Sequence, residues 1–167
     1  NLPRVQEEIR RAEQVYVMVD YDGTLTPIVS HPRLAPLPSN TKEVLSSLAA
    51  QPRCVLAIIS GRSKEDVKHL VGVDGAYYMG NHGLEISGPM LNFVHPEAAK
   101  ISEVLTRIAE KLDRRLREVR GVVVENKGLT LSIHYRMVAE HSIPRVKATV
   151  RDIVRHHRRL KVTYGKK

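Results

Sequence analysis

The chain has 167 residues, 42 % hydrophobic and 27 % charged, with one Phe, six Tyr and no Trp; this is a globular composition with an aliphatic core, long enough for one ordinary domain or two small ones. The formal net charge is +9, and residues 143–167 hold nine Lys or Arg against the single acid Asp152; without interleaved aromatics or a reading motif they read as a solvated helix face and not as a nucleic-acid surface. The lone Cys54 excludes an internal disulfide, the charged first residues exclude the apolar stretch of a signal peptide, and no apolar run nears the about 20 residues of a membrane span, so a cytoplasmic protein with no membrane contact is expected.

Residues 4–13 read as a short surface helix. Val15–Val19 is an apolar, β-branched run and predicts a buried strand that leads into Asp20-Tyr21-Asp22-Gly23-Thr24. Pro27, Pro32, Pro36 and Pro38 then enforce an irregular loop. Asn40 and Glu43 stand at capping-box spacing ahead of Val44, Leu45 and Leu48, which predicts a helix. Cys54–Ile59 is a second buried strand ending at Ser60-Gly61-Arg62, Ser63 and Asp66 open a helix through Leu70, and Ala76–Met79 is a third strand ending at Gly80-Asn81-His82-Gly83. Strand–helix–strand–helix–strand is the order of a parallel α/β sheet, in which ligands bind beyond the carboxyl ends of the strands.

The second half changes character. Leu84–Ile86 and Leu91–Val94 predict short strands around Gly88-Pro89. A helix opens at Pro96 with the stripe Ile101, Val104, Leu105, Ile108, Leu112, Leu116 and Val119. Val122–Glu125 and Leu129–Ile133 flank Asn126-Lys127-Gly128 as a hairpin, and a helix carries Ile143, Val146, Val150, Ile153 and Val154. Leu160, Val162 and Tyr164 alternate as a last strand. The predicted division is a core at residues 1–83 and a second α/β unit at 84–167. The Asn at position 1 and the turn at Gly165-Lys166-Lys167 suggest a piece of a longer chain.

Asp20 and Asp22 carry the strongest chemical signal. At i and i+2 in extended backbone they face one site, which is costly unless a cation neutralises them. A calcium loop is excluded, because its Gly belongs three positions after the second Asp and its closing Glu is missing. Ser-Gly-Arg alone fits any strand-to-helix turn. His82 fits either a sugar contact or a turn cap, Cys54 reads as a small core residue, and no two of the eight histidines have metal-ligand spacing.

Asp20-Tyr21-Asp22-Gly23-Thr24-Leu25-Thr26-Pro27-Ile28 resembles the first motif of the haloacid dehalogenase superfamily, in the form found in trehalose-6-phosphate phosphatases. Ile59–Arg62 resembles their second motif, Gly80–Glu85 their passage from core to cap, and Val124–Gly128 with His134-Tyr135-Arg136 their cap motif. The resemblance implies a Rossmann-like core with an inserted α/β cap, and hydrolysis of trehalose 6-phosphate to trehalose and phosphate through an aspartyl-phosphate. It implies Asp20 as nucleophile, Asp22 as acid and base, and magnesium at Asp20 and Asp22. Ser60, Gly61 and Arg62 would bind phosphate, and His82, Glu125, Lys127 and Arg136 the sugar. A related phosphatase for another sugar phosphate and a catalytically incomplete binding or regulatory module are the alternatives. The family's phosphoryl-holding Lys and its acidic Gly-Asp-Asp-like loop lie downstream of the cap and are not found here. The core is therefore expected to be incomplete, with the Val15–Val19 edge covered by a second copy or by a C-terminal fragment.

Overall fold

A computed structural model describes residues 2–27 and 36–164. Ile28, Pro32 and the Gly165–Lys167 turn lie outside the described residues. The chain divides into two compact units, 1–95 and 96–167.

The first unit opens with α1 (Leu2–Arg11), two residues earlier than predicted and with no buried residue. Its Glu7–Arg11 and Arg4–Glu8 pairs are exposed i,i+4 contacts of 2.8 and 3.0 Å, a class that contributes little to stability. β1 (Val15–Asp20) pairs in parallel with β2 (Cys54–Ile59), and β2 in parallel with β3 (Tyr77–Gly80). The helices α2 (Ser39–Ala49) and α3 (Lys64–Val71) lie between these strands in sequence. Leu45 of α2 and Val67 and Val71 of α3 join Leu56, Ile58, Tyr78 and Tyr21 in one core cluster, so both helices close over the same apolar surface.

Four expectations for this unit need correction. β1 is not buried on both faces: Tyr16 and Met18 are 61 and 59 % exposed, on a face of β1 against which neither α2 nor α3 chiefly packs. The Asn40/Glu43 capping box does not form. Pro38, with φ −60°, precedes a helix that begins one residue early, and Asn40 Oδ1 accepts from Thr41 N instead. Val44 falls off the apolar stripe and is exposed, leaving Leu45 as the buried anchor of α2. The segments expected to open the second unit, β4 (Glu85–Gly88) and β5 (Leu91–Val94), form an antiparallel hairpin whose first strand pairs with β3. Their ladder bonds tie them to the first sheet, which moves the boundary from 83/84 to 95/96.

The second unit holds α4 (Pro96–Leu116), the antiparallel pair β6 (Val123–Asn126) and β7 (Leu131–His134), and α5 (Ile143–Val154). Leu105, Ile108, Leu112 and Leu116 recur at helical spacing on the buried side of α4, and Ile143, Val146, Val150 and Ile153 on that of α5. The expected strand at Leu160–Tyr164 is absent. Leu160 and Val162 pack against the core of this unit without a ladder partner; alternation places apolar side chains inward, but a strand also needs a neighbour for its backbone.

Leu112 is fully buried and Met137 is 74 % exposed. Leu112→Ala is expected to lower the unfolding free energy by about 2–5 kcal/mol, and Met137→Ala to change it by no more than about 0.5 kcal/mol, both read by urea denaturation.

Candidate active site

The parallel register brings three loops to one end of the sheet. Asp20 stands beside Ile59, and Ile59 beside Met79; the segments that follow, 20–26, 60–63 and 80–85, therefore leave the strands at the same level. Tyr21 N donates to Ile59 O at 3.1 Å, extending the ladder by one residue. The Tyr21 side chain is completely buried in the core cluster. With Tyr21 turned inward, the exposed Asp20 and Asp22 on either side of it are turned outward. The chain then closes tightly: Leu25 N and Thr26 N both donate to Tyr21 O, and Gly23, at φ +90°, donates to Thr26 O at 2.9 Å. That positive φ is what requires glycine here. Thr24 Oγ1 lies 3.5 Å from Asp20 Oδ2.

A cation of the protein itself meets Asp22. Arg62 Nε donates to Asp22 Oδ2 at 2.9 Å and Nη2 to Asp22 Oδ1 at 2.6 Å, a two-pronged fork. Nη1 reaches Asp66 Oδ2 at 3.1 Å. The guanidinium also stands over the Tyr21 ring, 5.4 Å from its centre. Arg62 is only 6 % exposed. Burial works against its charge, but hydrogen bonds to Asp22 and Asp66 outweigh burial and raise its pKa above the ordinary arginine value, so it stays cationic.

The second and third loops are stitched together by main-chain bonds. Ser60 is buried, its Oγ accepts from Arg62 N at 3.1 Å, and its carbonyl accepts from His82 N at 3.1 Å. Asn81 N donates to Arg62 O at 2.6 Å. A Cβ on Gly61 would lie 2.6 Å from His82 Cε1, so the imidazole rests on the bare glycine. Asn81 and His82 both adopt left-handed backbone, φ +49° and +58°, a conformation that costs free energy in residues other than glycine. Glu85 supplies the compensation. Its Oε1 accepts from Asn81 Nδ2 and, at 2.8 Å, from Lys64 N at the start of α3. Glu85 is buried and Asn81 has no exposed surface.

Among the predicted site residues, Asp20, Asp22, Ser60, Gly61, Arg62 and His82 thus gather on the first unit. Glu125, Lys127 and Arg136 belong to the second. On the β6–β7 hairpin, Val124, Leu131 and Ile133 pack toward the core of that unit, so the alternate residues Glu125, Ser132 and His134 occupy the opposite face. Glu125 Oε2 is 2.7 Å from His134 Nε2 and 3.7 Å from Lys127 Nζ. Lys127 N donates to Thr130 O at 3.0 Å, and Asn126 Nδ2 ties the hairpin to Thr106 of α4 at 3.1 Å. Arg136 is exposed two residues past β7. Two open cavities of this unit, about 260 and 400 Å³, are lined by none of these three residues.

The sequence reading did not assign Asp66, Glu85 or His134 to the site. Asp66 was legible, standing four residues after Arg62 in the first turn of α3. Glu85 and His134 stood inside the motifs Gly80–Glu85 and His134-Tyr135-Arg136, but their partners were not legible: those of Glu85 meet it through a loop of unusual backbone, and that of His134 follows from the register of the hairpin. Among the described residues, no group of three His, Cys, Asp or Glu stands close enough to hold a metal ion.

Removing Glu85 would leave two buried N–H groups without their acceptor. Glu85→Ala is expected to destabilise the first unit by about 1–3 kcal/mol. Glu85→Gln, which keeps the acceptor oxygen, should lose clearly less. Denaturation of both variants checks this, and equal losses would show that the charge and not the acceptor matters.

The family model described as Trehalose-phosphatase matches residues 18–167. The trehalose-phosphate phosphatase of Mycobacterium tuberculosis is 39 % identical over 156 residues, covering 93 % of this chain and 39 % of the relative. An uncharacterised glycosyl hydrolase of the same organism is 41 % identical over 153 residues, covering 90 % of this chain and 11 % of the relative. The chain therefore spans about two fifths of the curated phosphatase and about a tenth of the glycosyl hydrolase. Two solved structures share the fold. A trehalose-6-phosphate phosphatase related protein has TM-score 0.81 at 22 % identity, over 90 % of this chain and 64 % of the other. The C-terminal domain of Candida albicans trehalose-6-phosphate phosphatase has TM-score 0.76 at 23 % identity, over 99 % of this chain and 59 % of the other. A mixed α/β fold, the Asp20–Asp22 pair at the carboxyl edge of its parallel strands and a family match over nearly the whole chain agree: this chain belongs to the trehalose-phosphatase family.

Proposed function

We propose that the protein carrying this chain hydrolyses trehalose 6-phosphate to trehalose and phosphate through an aspartyl-phosphate on Asp20. The observation that carries this reading is the outward presentation of Asp20 and Asp22 around the buried Tyr21. Asp20, exposed at the strand end, is free to approach phosphorus in line with the departing sugar oxygen. As the phosphorus–oxygen bond to the sugar breaks, Asp22 gives that oxygen a proton. It then takes a proton from the water that attacks the aspartyl-phosphate, which returns Asp20 and releases phosphate. Ser60 Oγ and the Gly61 N–H hold a phosphoryl oxygen. Glu125, Lys127 and Arg136 are the sugar contacts of the second unit, and His82 is that of the first.

The donors fit magnesium. Both Asp22 carboxylate oxygens accept from Arg62, so Asp22 offers a metal its main-chain carbonyl, and Asp20 offers its carboxylate. An all-oxygen set with one or two carboxylates suits this ion, which keeps several waters and takes substrate phosphate oxygens. When bound, the ion supplies positive charge that offsets repulsion between Asp20 and the phosphoryl group.

No helix among the described residues is long and apolar enough to cross a membrane, and the half-buried free thiol of Cys54 suits the reducing cytoplasm in which we place the protein. The exposed edge at Tyr16 and Met18 is covered in the working protein by further polypeptide or a second copy.

Two experiments on the full-length protein test this reading. Asp20→Asn is expected to remove turnover by several orders of magnitude while leaving the circular dichroism unchanged; near-normal turnover would exclude the covalent route. Glu125→Ala and Lys127→Ala each remove a charged hydrogen bond to the sugar, about 1.5–3 kcal/mol. They should lower kcat/KM for trehalose 6-phosphate by at least about tenfold and leave a small aryl phosphate nearly unaffected. Equal losses on both substrates would assign these residues to the fold.

A further inference from the structure

We infer that Asp66, acting through Arg62, is a positioning residue for Asp22, and that Arg62 is committed to this task and not to binding phosphate. The inference rests on the phosphatase reading above. A guanidinium is planar and rigid, so fixing two of its sides fixes the orientation of whatever it holds. Arg62 spends Nε and Nη2 on the two oxygens of Asp22, at 2.9 and 2.6 Å, and Nη1 on Asp66 at 3.1 Å. Its side chain is 7 % exposed, against 47 % for Asp22 and 45 % for Asp66. The cation is thus the buried member, flanked by two more accessible carboxylates, with the Tyr21 ring against its face.

Asp66 is itself well placed to serve as a fixed post. It lies in the first turn of α3, where its own N–H is capped by Ser63 Oγ at 3.2 Å. The Arg62 backbone is held on both sides, by Ser60 Oγ at its N–H and by Asn81 N at its carbonyl. These three contacts of the guanidinium are therefore set by rigid elements, and the prong that faces Asp22 points in one direction. An arginine that bound phosphate would turn its donors to solvent or to the Asp20 side; the three Arg62 nitrogens described here are turned to carboxylates instead. The alternative role for Asp66 is to stabilise the start of α3, as acids in a first turn do, and that role predicts no dependence on the substrate's leaving group.

The test uses Asp66→Ala, Asp66→Glu and Arg62→Lys in the full-length protein. The parameter kcat/KM reports only steps up to departure of the first product. Trehalose 6-phosphate releases an alkoxide that needs the Asp22 proton, whereas p-nitrophenyl phosphate releases a nitrophenolate that does not. Asp66→Ala and Arg62→Lys are expected to lower kcat/KM for the sugar phosphate by about 10- to 100-fold. Both should change kcat/KM for the aryl phosphate and inhibition by inorganic phosphate by less than about threefold, and Asp66→Glu should recover part of the loss. Equal losses on the two substrates, no loss on either, or weakened phosphate inhibition would overturn the inference. A crystal structure of Asp66→Ala reads the positioning without turnover: loss of the two-pronged Arg62–Asp22 contact supports it, and retention of both bonds at their present lengths overturns it. Should the unaltered protein hydrolyse neither substrate, the phosphatase reading fails, and the crystal structure alone decides whether Asp66 positions Asp22.

Discussion

Burying one guanidinium beneath two carboxylates is the constraint around which the first unit is arranged. Arg62 is taken almost wholly out of water, a state that is expensive for a charge unless its donors are matched. The matching draws on three separate elements: Asp22 from the loop after β1, Asp66 from α3, and the Tyr21 ring from the core. Each is placed by local rules. Tyr21 is driven inward by its aromatic surface, which throws its two acidic neighbours outward. Ser63 starts α3 at the residue that brings Asp66 round to Arg62. The Arg62 carbonyl receives Asn81 N, and with that bond the third loop joins the other two. Asp22, one of two acids at the end of a strand, is thereby given a countercharge by the protein's own fold.

The same logic explains where strain is stored. Two successive residues, Asn81 and His82, hold left-handed backbone without being glycine. The conformation persists because Glu85 satisfies Asn81 from one side and the first N–H of α3 from the other. Gly80 is required next to it, since a Cβ there would lie 2.2 Å from Lys64 N. The outcome is an imidazole laid on Gly61, beside the groups proposed to hold phosphate. On the hairpin of the second unit, the period of two separates a core-facing row from a polar row, and Glu125 and His134 meet across the strands as a diagonal pair.

Much of this was legible in the residues, and the failures have physical causes. The strands at 15–19, 54–59 and 76–79 and the helices between them followed from apolar runs, periodicity and caps; Ser63 does cap α3 as its spacing with Asp66 implied. The acidic pair was read as facing one site; the Arg62 contact to Asp22 was not foreseen, because Arg62 is forty residues away in sequence and only the register of β1 with β2 brings it near. Burial of β1 was overstated, because an apolar run does not say whether both faces of the strand will be covered. The β4–β5 hairpin was assigned to the wrong unit, since a short strand does not say which sheet it will join. The alternation at Leu160–Tyr164 was genuine as a burial pattern and empty as a strand, for want of a partner.

The central claim is that Asp20, and not its neighbour Asp22, forms the covalent bond to phosphorus. Acid quenching of the full-length protein during turnover of trehalose 6-phosphate, followed by borohydride reduction, converts an aspartyl-phosphate to homoserine, which peptide mass spectrometry locates. The account predicts homoserine at Asp20 alone. Homoserine at Asp22, at another carboxylate, or at no residue while phosphate is being released would contradict it.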